Sequence, residues 1–301
     1  MLTFKLLNEE NAEKIISEIE SEIEMCDVEY LREILDSLLS DDECEYALSY
    51  AHSCLLIRVF DGVYSFLYPV ALNDEGDEGG CIELLRLYAI KEEIPLIISE
   101  VPADCIGEVA SRFRHLNMDA QDPERGSYNI KILSEASLLS EVPTFELDGV
   151  LLRPLTASDD ALYSKLCRSG EINKYWGYDY SLDEPNPIDS YFRESCEGEF
   201  SRGVAMSMAI EYEGEFSGEV ILYAFDLIGG CQCAIRLLED KRGRGIAKRA
   251  VDALKNIASS MGIVRLYAKV DKENLSSISL FKNSFSEMTD EGKNVVFREE
   301  M

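Results

Sequence analysis

A short basic turn at residues 241–249 limits the folds that this chain can adopt. It holds five cations and two glycines, in a chain of 301 residues whose formal net charge is -29. An apolar, strand-like run precedes this turn and an amphipathic helical pattern follows it. A glycine-rich turn leading into a helix presents unpaired backbone N–H groups and the positive end of the helix dipole. The turn therefore predicts a phosphate-binding site.

Each residue type in the turn suits a phosphate. Gly243 and Gly245 let the backbone approach a ligand closely because they carry no side chain. Ala247 keeps the first helical turn small, while Arg242 and Arg244 add positive charge. One face of the following helix is apolar and is expected to pack on a sheet; it comprises Ile246, Ala250, Leu254, Ile257 and Met261.

Other phosphate motifs do not fit this stretch. A Walker loop needs Gly-Lys followed by Ser or Thr, and a dinucleotide fingerprint needs glycine or alanine where Lys248 stands. The remaining alternative is a basic helix cap without a ligand, which the turn alone does not exclude.

The composition limits the other function classes. The 58 acids against 29 bases predict a surface that repels nucleic acid and membrane and favours a cationic partner, although solubility explains such acids equally well. No apolar run approaches the roughly 20 residues of a membrane span, and residues 1–6 lack a secretory pattern. Nine scattered cysteines and two histidines predict reduced thiols, a cytoplasmic location and no metal.

Two halves with a similar order of elements predict tandem domains. Residues 1–50 read as helical, with an acidic turn at 41–43; a strand at 53–60, a turn at 61–62 and a strand at 63–72 follow. Each half then shows strands, a glycine loop, a helix, a strand, a second helix and a last strand. Residues 135–143 read as a short helix or linker. We predict an α/β (α+β) fold with domains at 1–140 and 145–301, each a mixed, mostly antiparallel sheet flanked by helices.

The second half resembles the GNAT (GCN5-related) N-acetyltransferases. Residues 242–247 match the family signature R/Q-x-x-G-x-G/A, between a strand and a long helix. Residues 270–281, with Asn274, look like the family's second conserved segment. Residues 145–155 resemble its first strand, and 173–178 resemble a loop found in relatives of ribosomal-protein N-terminal acetylases. The first half is faintly similar to the same fold, as a degenerate copy.

That resemblance implies a binding site for acetyl-CoA as co-substrate. Backbone groups of Leu237 and Leu238 would run beside the pantetheine arm, and one amide, assigned to Leu238, would stabilise the oxyanion. Asn274 would bind the same arm across a splay between strands. Main-chain N–H groups of the turn would hold the pyrophosphate, namely those of Arg242, Gly243, Arg244, Gly245, Ile246 and Ala247. The 3′-phosphate would meet Arg244, Lys248 or Arg249.

The chain departs from the family at Phe281. Members often place a tyrosine there as general acid for the departing thiolate, and phenylalanine has no proton to give. Either the thiolate leaves without that help, or another hydroxyl substitutes, or the domain binds the coenzyme without catalysis.

The acceptor side of the site is less marked in the sequence. Glu219 is the first candidate for the general base, ahead of Asp226 and Glu239, because it falls within a strand; for each of the three, a solvated carboxylate without a catalytic role is the alternative. Tyr175, Trp176 and Tyr178 are candidates for lining the acceptor pocket, with core packing as the alternative for Trp176.

The equivalent loop of the first half, residues 73–80, carries four carboxylates that oppose an anionic coenzyme. We therefore expect the first domain to lack a coenzyme site and to shape the acceptor cleft or bind a separate partner. The whole chain is expected to transfer acetyl from acetyl-CoA to a primary amine by direct attack, either a protein N-terminus or a small cationic amine. Two alternatives are a non-catalytic acyl-CoA-binding or regulatory module, and a basic turn that binds an acidic protein or the chain's own acidic half.

Overall fold

The structure is a computed structural model that describes residues 2–8, 10–26, 28–38, 44–49, 52–60, 64–122, 126–176 and 190–301. The chain divides into two compact units, Met1–Leu133 and Ser134–Met301. Each unit has its own central sheet. Among the described residues, no helix combines the length and apolar character needed to cross a bilayer.

The first unit alternates strands and helices. Its elements are β1 (Lys5–Leu7), α1 (Ala12–Glu22), α2 (Val28–Leu38), β2 (Cys44–Ser49), β3 (Cys54–Phe60), β4 (Tyr64–Leu67), β5 (Val70–Ala71), α3 (Glu78–Lys91), β6 (Ile97–Pro102), α4 (Ile106–Arg112), β7 (Leu116–Asp122) and β8 (Ser127–Ile132). The strand order is β1-β2-β3-β4-β6-β8-β7, with the short β5 on β3. Within this order the pairs are antiparallel except β4 with β6, which are parallel.

Helices α1 and α2 follow from a helical stripe of apolar residues. Ile15, Ile16 and Ile19 of α1 and Leu31 and Leu35 of α2 are buried in one cluster with strand residues. Spacings of three and four put such residues on one helix face, which removes that face from water. Burial of the stripe therefore fixes both helices on the sheet.

The second unit continues the same alternation. Its elements are β9 (Phe145–Leu147), β10 (Val150–Arg153), α5 (Asp160–Arg168), α6 (Gly170–Asn173), α7 (Tyr191–Arg202), β11 (Ala205–Tyr212), β12 (Glu215–Tyr223), β13 (Gly230–Leu237), α8 (Ile246–Ser260), β14 (Arg265–Asp271), α9 (Leu275–Lys282), β15 (Glu287–Glu291) and β16 (Asn294–Glu300). The sheet order is β15-β16-β14-β13-β12-β11-β10-β9. Only the central pair β13 and β14 is parallel among the described strands of this sheet.

The two faces of this sheet carry different layers. Helix α8 buries its predicted stripe in a core cluster that also holds Cys231, Cys233 and Leu237 of β13 and Phe281 of α9. A smaller cluster contains Tyr163 and Leu166 of α5 together with residues of α7 and the central strands. Because side chains alternate along a strand, Gln232, Ala234 and Arg236 of β13 lie on the face away from α8. The sheet thus separates an α8 face from an α5 face.

The two units share one connectivity. From β1 to β8 and from β10 to β16, a strand is followed by helices, an antiparallel run of three strands, a helix, a parallel strand, a helix and a closing hairpin. In both, the single parallel pair lies at the centre of the sheet and is joined by the longest described helix of that unit, α3 or α8. The predicted fold class, two mixed and mostly antiparallel sheets flanked by helices, is confirmed.

Several element predictions were wrong. Residues 1–50 include two strands, β1 and β2, that the helical interpretation missed, and β7 and β15 were also missed. The predicted strand at 63–72 is divided into β4 and β5 around Tyr68 and Pro69, since proline cannot donate to a sheet. The predicted turns at 41–43 and 61–62 lie outside the described residues.

The segment predicted as a short helix or linker, residues 135–143, is part of the second unit. Residues 136–138 form a 3₁₀ turn, Ala136–Leu138, and Ala136 is buried in the core cluster of the second unit. The hydroxyl of Ser134 donates to the carbonyl of Gly203 after α7, at 2.6 Å. The segment is therefore anchored in the second unit.

Candidate active site

The two parallel strands at the centre of the second sheet separate along their length. Pairing between β13 and β14 covers three residues, from Gly230 opposite Arg265 to Gln232 opposite Tyr267. Beyond these pairs a cleft of about 70 Å³ lies between the strands. It is lined by Cys233, Ala234, Ile235 and Arg236 of β13, by Lys269, Val270 and Asp271 of β14, by Asn274, Ser277 and Phe281 at α9, and by Ile172, Tyr175 and Trp176. The described structure thus has the splay that the resemblance implies.

The backbone of β13 presents alternate groups to this cleft. The N–H of Leu238 donates to the carbonyl of Ser217 on β12, at 3.0 Å. In an antiparallel pair the N–H groups of successive residues point to opposite edges. The N–H of Leu237 therefore faces the β14 edge, which is the cleft. The geometry favours Leu237 over the predicted Leu238 as an oxyanion donor, because the Leu238 N–H is already bonded within the sheet.

The basic turn forms an open cradle at the start of α8. Gly243 and Gly245 have φ of +75° and +73°, a region that side chains disfavour, and a Cβ at either position would meet no described atom within 4 Å. Gly245 is the N-cap residue of α8 and supplies no side-chain cap. The first-turn N–H groups of the 15-residue helix, beginning at Ile246, are therefore left for an external acceptor. This arrangement fits a pyrophosphate.

The five cations of the turn divide into structural and exposed ones. Lys241 is buried and pairs with Glu215. Arg249 donates to the carbonyls of Asp148, Arg244 and Gly245, at 2.8, 3.0 and 3.4 Å. The exposed cations are Arg242, Arg244 and Lys248. Among the residues predicted to meet the 3′-phosphate, Arg244 and Lys248 are thus better placed than Arg249, whose guanidinium is occupied by backbone.

The equivalent position of the first unit is filled by the protein itself. The carboxylate of Asp77 caps α3 by accepting the N–H of Gly80 at 2.8 Å, and its other oxygen lies 3.2 Å from His52 Nδ1. A Cβ at Gly79 would overlap the side chains of Arg112 and Glu108. An internal carboxylate therefore occupies the helix N-terminus that α8 leaves open.

Asn274 and Phe281 stand on the opposite wall of the cleft. Asn274 caps α9 by accepting the N–H of Ser277 at 3.2 Å, and its side-chain NH₂ remains available as a donor. Phe281 is 3% exposed and packs edge-on against Phe285, with ring centroids 5.3 Å apart. The hydroxyl of Ser277 lies on the same helix face, one turn before Phe281. Ser277 was not among the predicted site residues.

The aromatic loop after α6 forms the wall on the α5 face. Tyr175 and Trp176 line the cleft as predicted, whereas Tyr178 lies outside the described residues. Lys174 Nζ is 4.7 Å from the centre of the Tyr175 ring, and the Arg236 guanidinium is 4.2 Å from that of Trp176. Trp176 is thus neither a core residue nor an isolated pocket residue; it stacks on a charged side chain of the sheet.

Glu219 belongs to a buried network. It is 1% exposed, and its Oε2 lies 2.7 Å from both Nε and Nη2 of Arg236. Its Oε1 accepts the hydroxyl of Tyr163, also at 2.7 Å. Burial first, and then the Glu219 carboxylate, raise the pKa of Tyr163 well above its usual value, so the phenol stays protonated and donates. Both carboxylate oxygens therefore have partners, and the geometry favours a counter-ion over the predicted general base.

The other two carboxylate candidates lie in turns. Asp226 accepts the N–H groups of Ile228 and Gly230, at 2.9 and 2.6 Å, and orders the turn before β13. Glu239 is exposed at the start of the 3₁₀ turn Glu239–Lys241. Neither residue lines the described cleft. Among the residues that the structure describes, no group of three or more His, Cys, Asp or Glu is placed to hold a metal ion.

Two buried thiols near the cleft should make the free energy of unfolding depend on pH in the alkaline range. Burial raises the pKa of Cys233 and of Cys167 to about 12 each, against roughly 8.5 for an unfolded thiol. Because the folded pKa is the higher one, this contribution to stability is complete below about pH 8.5 and decreases as the pH rises toward 12. We expect the melting temperature to fall between pH 8.5 and 10.5, and to fall less in the double variant Cys167→Ala/Cys233→Ala. Parallel curves for both proteins would contradict this.

Comparison with known proteins identifies the class of the second unit. Residues 150–284 match the family model of the acetyltransferase (GNAT) domain. The second unit therefore contains a GNAT acetyltransferase domain, as the sequence motifs indicated. No curated protein matches the chain.

Solved acetyltransferase structures are similar over about half of the chain. One from Agrobacterium tumefaciens is 19% identical and covers 54% of this chain and 97% of its own, with a TM-score of 0.44. The spermidine N-acetyltransferase of Vibrio cholerae in complex with CoA and spermine is 17% identical over 50% and 94%, with a TM-score of 0.42. A ribosomal alpha-N-protein acetyltransferase in complex with coenzyme A is 15% identical over 53% and 97%, with a TM-score of 0.43.

Sequence reasoning missed the partner of Glu219. Arg236 is the one charged residue in the otherwise apolar or neutral run from Cys231 to Leu238. A charge within a central strand is rarely buried unless it is paired, so this position was a usable signal. Its partner is 17 residues earlier in the chain and becomes adjacent only through the register of β12 and β13.

Proposed function

We propose that the second unit transfers the acetyl group of acetyl-CoA to a primary amine by direct attack of the amine on the thioester. The observation that carries this proposal is the open cradle at Gly243 and Gly245 together with the splay between β13 and β14, the strands on either side of α8 in the chain. A phosphate-binding helix start and a cleft in the adjacent sheet suit a long ligand that has a pyrophosphate at one end and a reactive group at the other.

The residues present supply binding and orientation. Main-chain N–H groups from Gly243 to Ala247 hold the pyrophosphate, since the N–H of Arg242 already donates to the carbonyl of Glu239 at 3.3 Å. The side chains of Arg244 and Lys248 meet the 3′-phosphate. Asn274 donates its amide to the pantetheine arm. The N–H of Leu237 donates to the carbonyl oxygen of the thioester, whose negative charge grows during attack. When bound, the coenzyme supplies the activated acetyl group; the protein holds it close to the amine and excludes water.

The amine enters from the α5 face, past Ile172, Tyr175 and Trp176. The α8 face of the cleft carries the coenzyme cradle, so the opposite face remains for the acceptor. The acceptor nitrogen, present as the free amine, bonds to the carbonyl carbon and the carbon–sulfur bond breaks. The proton that the nitrogen loses on becoming an amide passes through solvent, or through a nearby hydroxyl, to the departing thiolate. The 58 acids of the chain favour a cationic acceptor such as a protein N-terminus or a small amine.

The experiment that tests the proposal combines calorimetry with a thiol-release assay. Acetyl-CoA is titrated into the protein, and CoA release is then followed with spermidine and with short peptides that carry a free N-terminus. We expect saturable binding and release that requires one of these amines. Binding without release on any amine would instead support a non-catalytic coenzyme-binding module, which Phe281 favours. Absence of binding would overturn both functions.

Restoring a phenol at position 281 tests the acid step. We expect Phe281→Tyr to raise kcat roughly tenfold. A positioned acid that protonates a leaving group contributes about 10²–10⁴-fold in other enzymes, and the smaller factor is expected because the neighbouring residues do not position the new hydroxyl. Acetyl-CoA affinity should change less than twofold. The measurement is the thiol-release rate at saturating substrate. The matched control is Phe285→Tyr, whose ring packs on Phe281 but does not line the described cleft. An unchanged kcat in Phe281→Tyr would mean that the thiolate leaves unaided.

A further inference from the structure

The most connected charged side chain in the described part of the second unit is Arg236, and the reaction proposed above does not use it. Arg236 is 5% exposed, lies in the middle of the cleft wall and is ion-paired with Glu219. Burying a guanidinium is costly unless its donors are satisfied, so a site that keeps one has a specific set of partners. Those partners indicate what the residue does.

The remaining donors of Arg236 reach the helical pair α5 and α6. Its Nη1 donates to Oδ1 of Asn173, at 2.6 Å, and its Nη2 lies 3.1 Å from Sγ of Cys167. The amide nitrogen of Asn173 in turn donates to the carbonyls of Leu166, Cys167 and Ser169, at 2.9, 2.7 and 2.9 Å. Through these contacts the Arg236 guanidinium connects the cleft edge of β13 with the end of α5.

The same guanidinium also supports the aromatic loop. Its Cζ stacks 4.2 Å from the centre of the Trp176 ring, and both residues line the cleft. A planar guanidinium can form a fork of hydrogen bonds in its plane while its flat face stacks on an aromatic ring. Lysine offers neither the fork nor the flat face. The geometry therefore depends on arginine and not only on positive charge.

We propose that Arg236 is a positioning residue that fixes the acceptor wall, residues 172–176, against the coenzyme-binding strand. The proposal rests on the proposed function in one respect, namely that the α5 face receives the acceptor. Arg236 acts through Asn173 and Trp176, and Glu219 serves as its counter-ion. One consequence is that changes at Arg236 affect acceptor binding and leave coenzyme binding intact, since the hydrogen bonds described above go to Glu219, Asn173 and Cys167.

The chain has a single tryptophan, Trp176, so its fluorescence reports on the position of the acceptor wall. We expect Arg236→Lys to raise the acrylamide quenching constant of Trp176 about threefold, because the stacking partner is lost. With the amine that gives the highest thiol release, the acceptor KM should rise roughly tenfold, while the acetyl-CoA dissociation constant stays within twofold. The matched control is Arg153→Lys. Arg153 lies on β10 and also pairs with two carboxylates, those of Asp159 and Glu211.

A second variant covers the case in which Arg236→Lys does not fold. In Arg236→Gln/Glu219→Gln no unpaired charge is left buried, and the same increases in Trp176 quenching and in acceptor KM are expected. Unchanged quenching and unchanged acceptor KM in a folded variant would overturn the proposal, as would an equal loss of acetyl-CoA affinity. If no amine supports thiol release, the proposed function fails, but Trp176 quenching with and without CoA still decides the role of Arg236.

Discussion

Replacing Gly245 with aspartate is expected to weaken acetyl-CoA binding by about 100-fold or more. Two effects combine at this position. Gly245 has φ of +73°, so a variant with a side chain relaxes out of this conformation when free, and binding must restore it at a cost of roughly 1–2 kcal/mol. The new carboxylate would also stand at the N-cap of α8, where it would bond the first-turn N–H groups and repel a phosphate, each close contact costing about 1 kcal/mol or more. Each 1.4 kcal/mol corresponds to roughly a tenfold change in affinity.

The natural chain already contains the arrangement that this substitution would create. In the first unit, Asp77 caps α3 by accepting the Gly80 N–H at the position equivalent to the coenzyme cradle. Gly245→Asp would place a carboxylate at the same N-cap position, although the backbone there differs, with φ of −119° at Asp77 and +73° at Gly245. We therefore expect the variant to fold and to lose the coenzyme, a result visible as a flat calorimetric titration with an intact melting transition.

A matched control separates loss of the site from strain. Gly292 lies in the turn between β15 and β16 and also has a positive φ, +65°; a Cβ added there would meet no described atom within 4 Å. Gly292→Asp should bind acetyl-CoA as the parent protein does. If Gly245→Asp bound acetyl-CoA with parent affinity, the turn would not be a pyrophosphate site, and binding of an acidic protein partner by the turn would become the better explanation.

The cradle could be predicted from sequence because its chemistry is contiguous. Residues 242–247 supply both the glycines and the helix start, and the apolar stripe of α8 is readable at spacings of three and four. Phe281 was identified in the same way, by its place in a local motif. Such features depend on neighbours in the chain, so they do not require knowledge of strand pairing.

The acceptor wall could not be predicted because it depends on contacts between distant residues. Tyr163, Glu219 and Arg236 meet through the packing of α5 on the sheet and the register of β12 with β13. An isolated glutamate in a strand is typical of either a catalytic base or half of an ion pair, and only its partner distinguishes the two. The same limit applies to β15, whose five residues are all exposed and show no alternation between apolar and polar.

Glu219→Ala is expected to destabilise the second unit by about 3–5 kcal/mol, because it leaves the Arg236 guanidinium buried without its counter-ion. For a unit of this size the melting temperature should fall by roughly 10 °C. The control is Glu287→Ala, which removes a carboxylate that is 60% exposed and 3.9 Å from Arg298. Exposed pairs contribute about 0–1 kcal/mol, so this variant should melt within about 3 °C of the parent.

Glu219→Gln separates the counter-ion from the general base. A glutamine keeps an oxygen that accepts the Tyr163 hydroxyl but removes the charge that pairs with Arg236 and any capacity to take a proton. If Glu219 were the base, Glu219→Gln would lower kcat/KM at every pH, and its pH profile would lose the limb that reports the base. If Glu219 is a counter-ion, the pH profile of Glu219→Gln should keep that limb. The variant should then show a lower melting temperature and stronger quenching of Trp176 fluorescence. The two roles thus give opposite results in one pH series, and the ion pair at 2.7 Å leads us to expect the second.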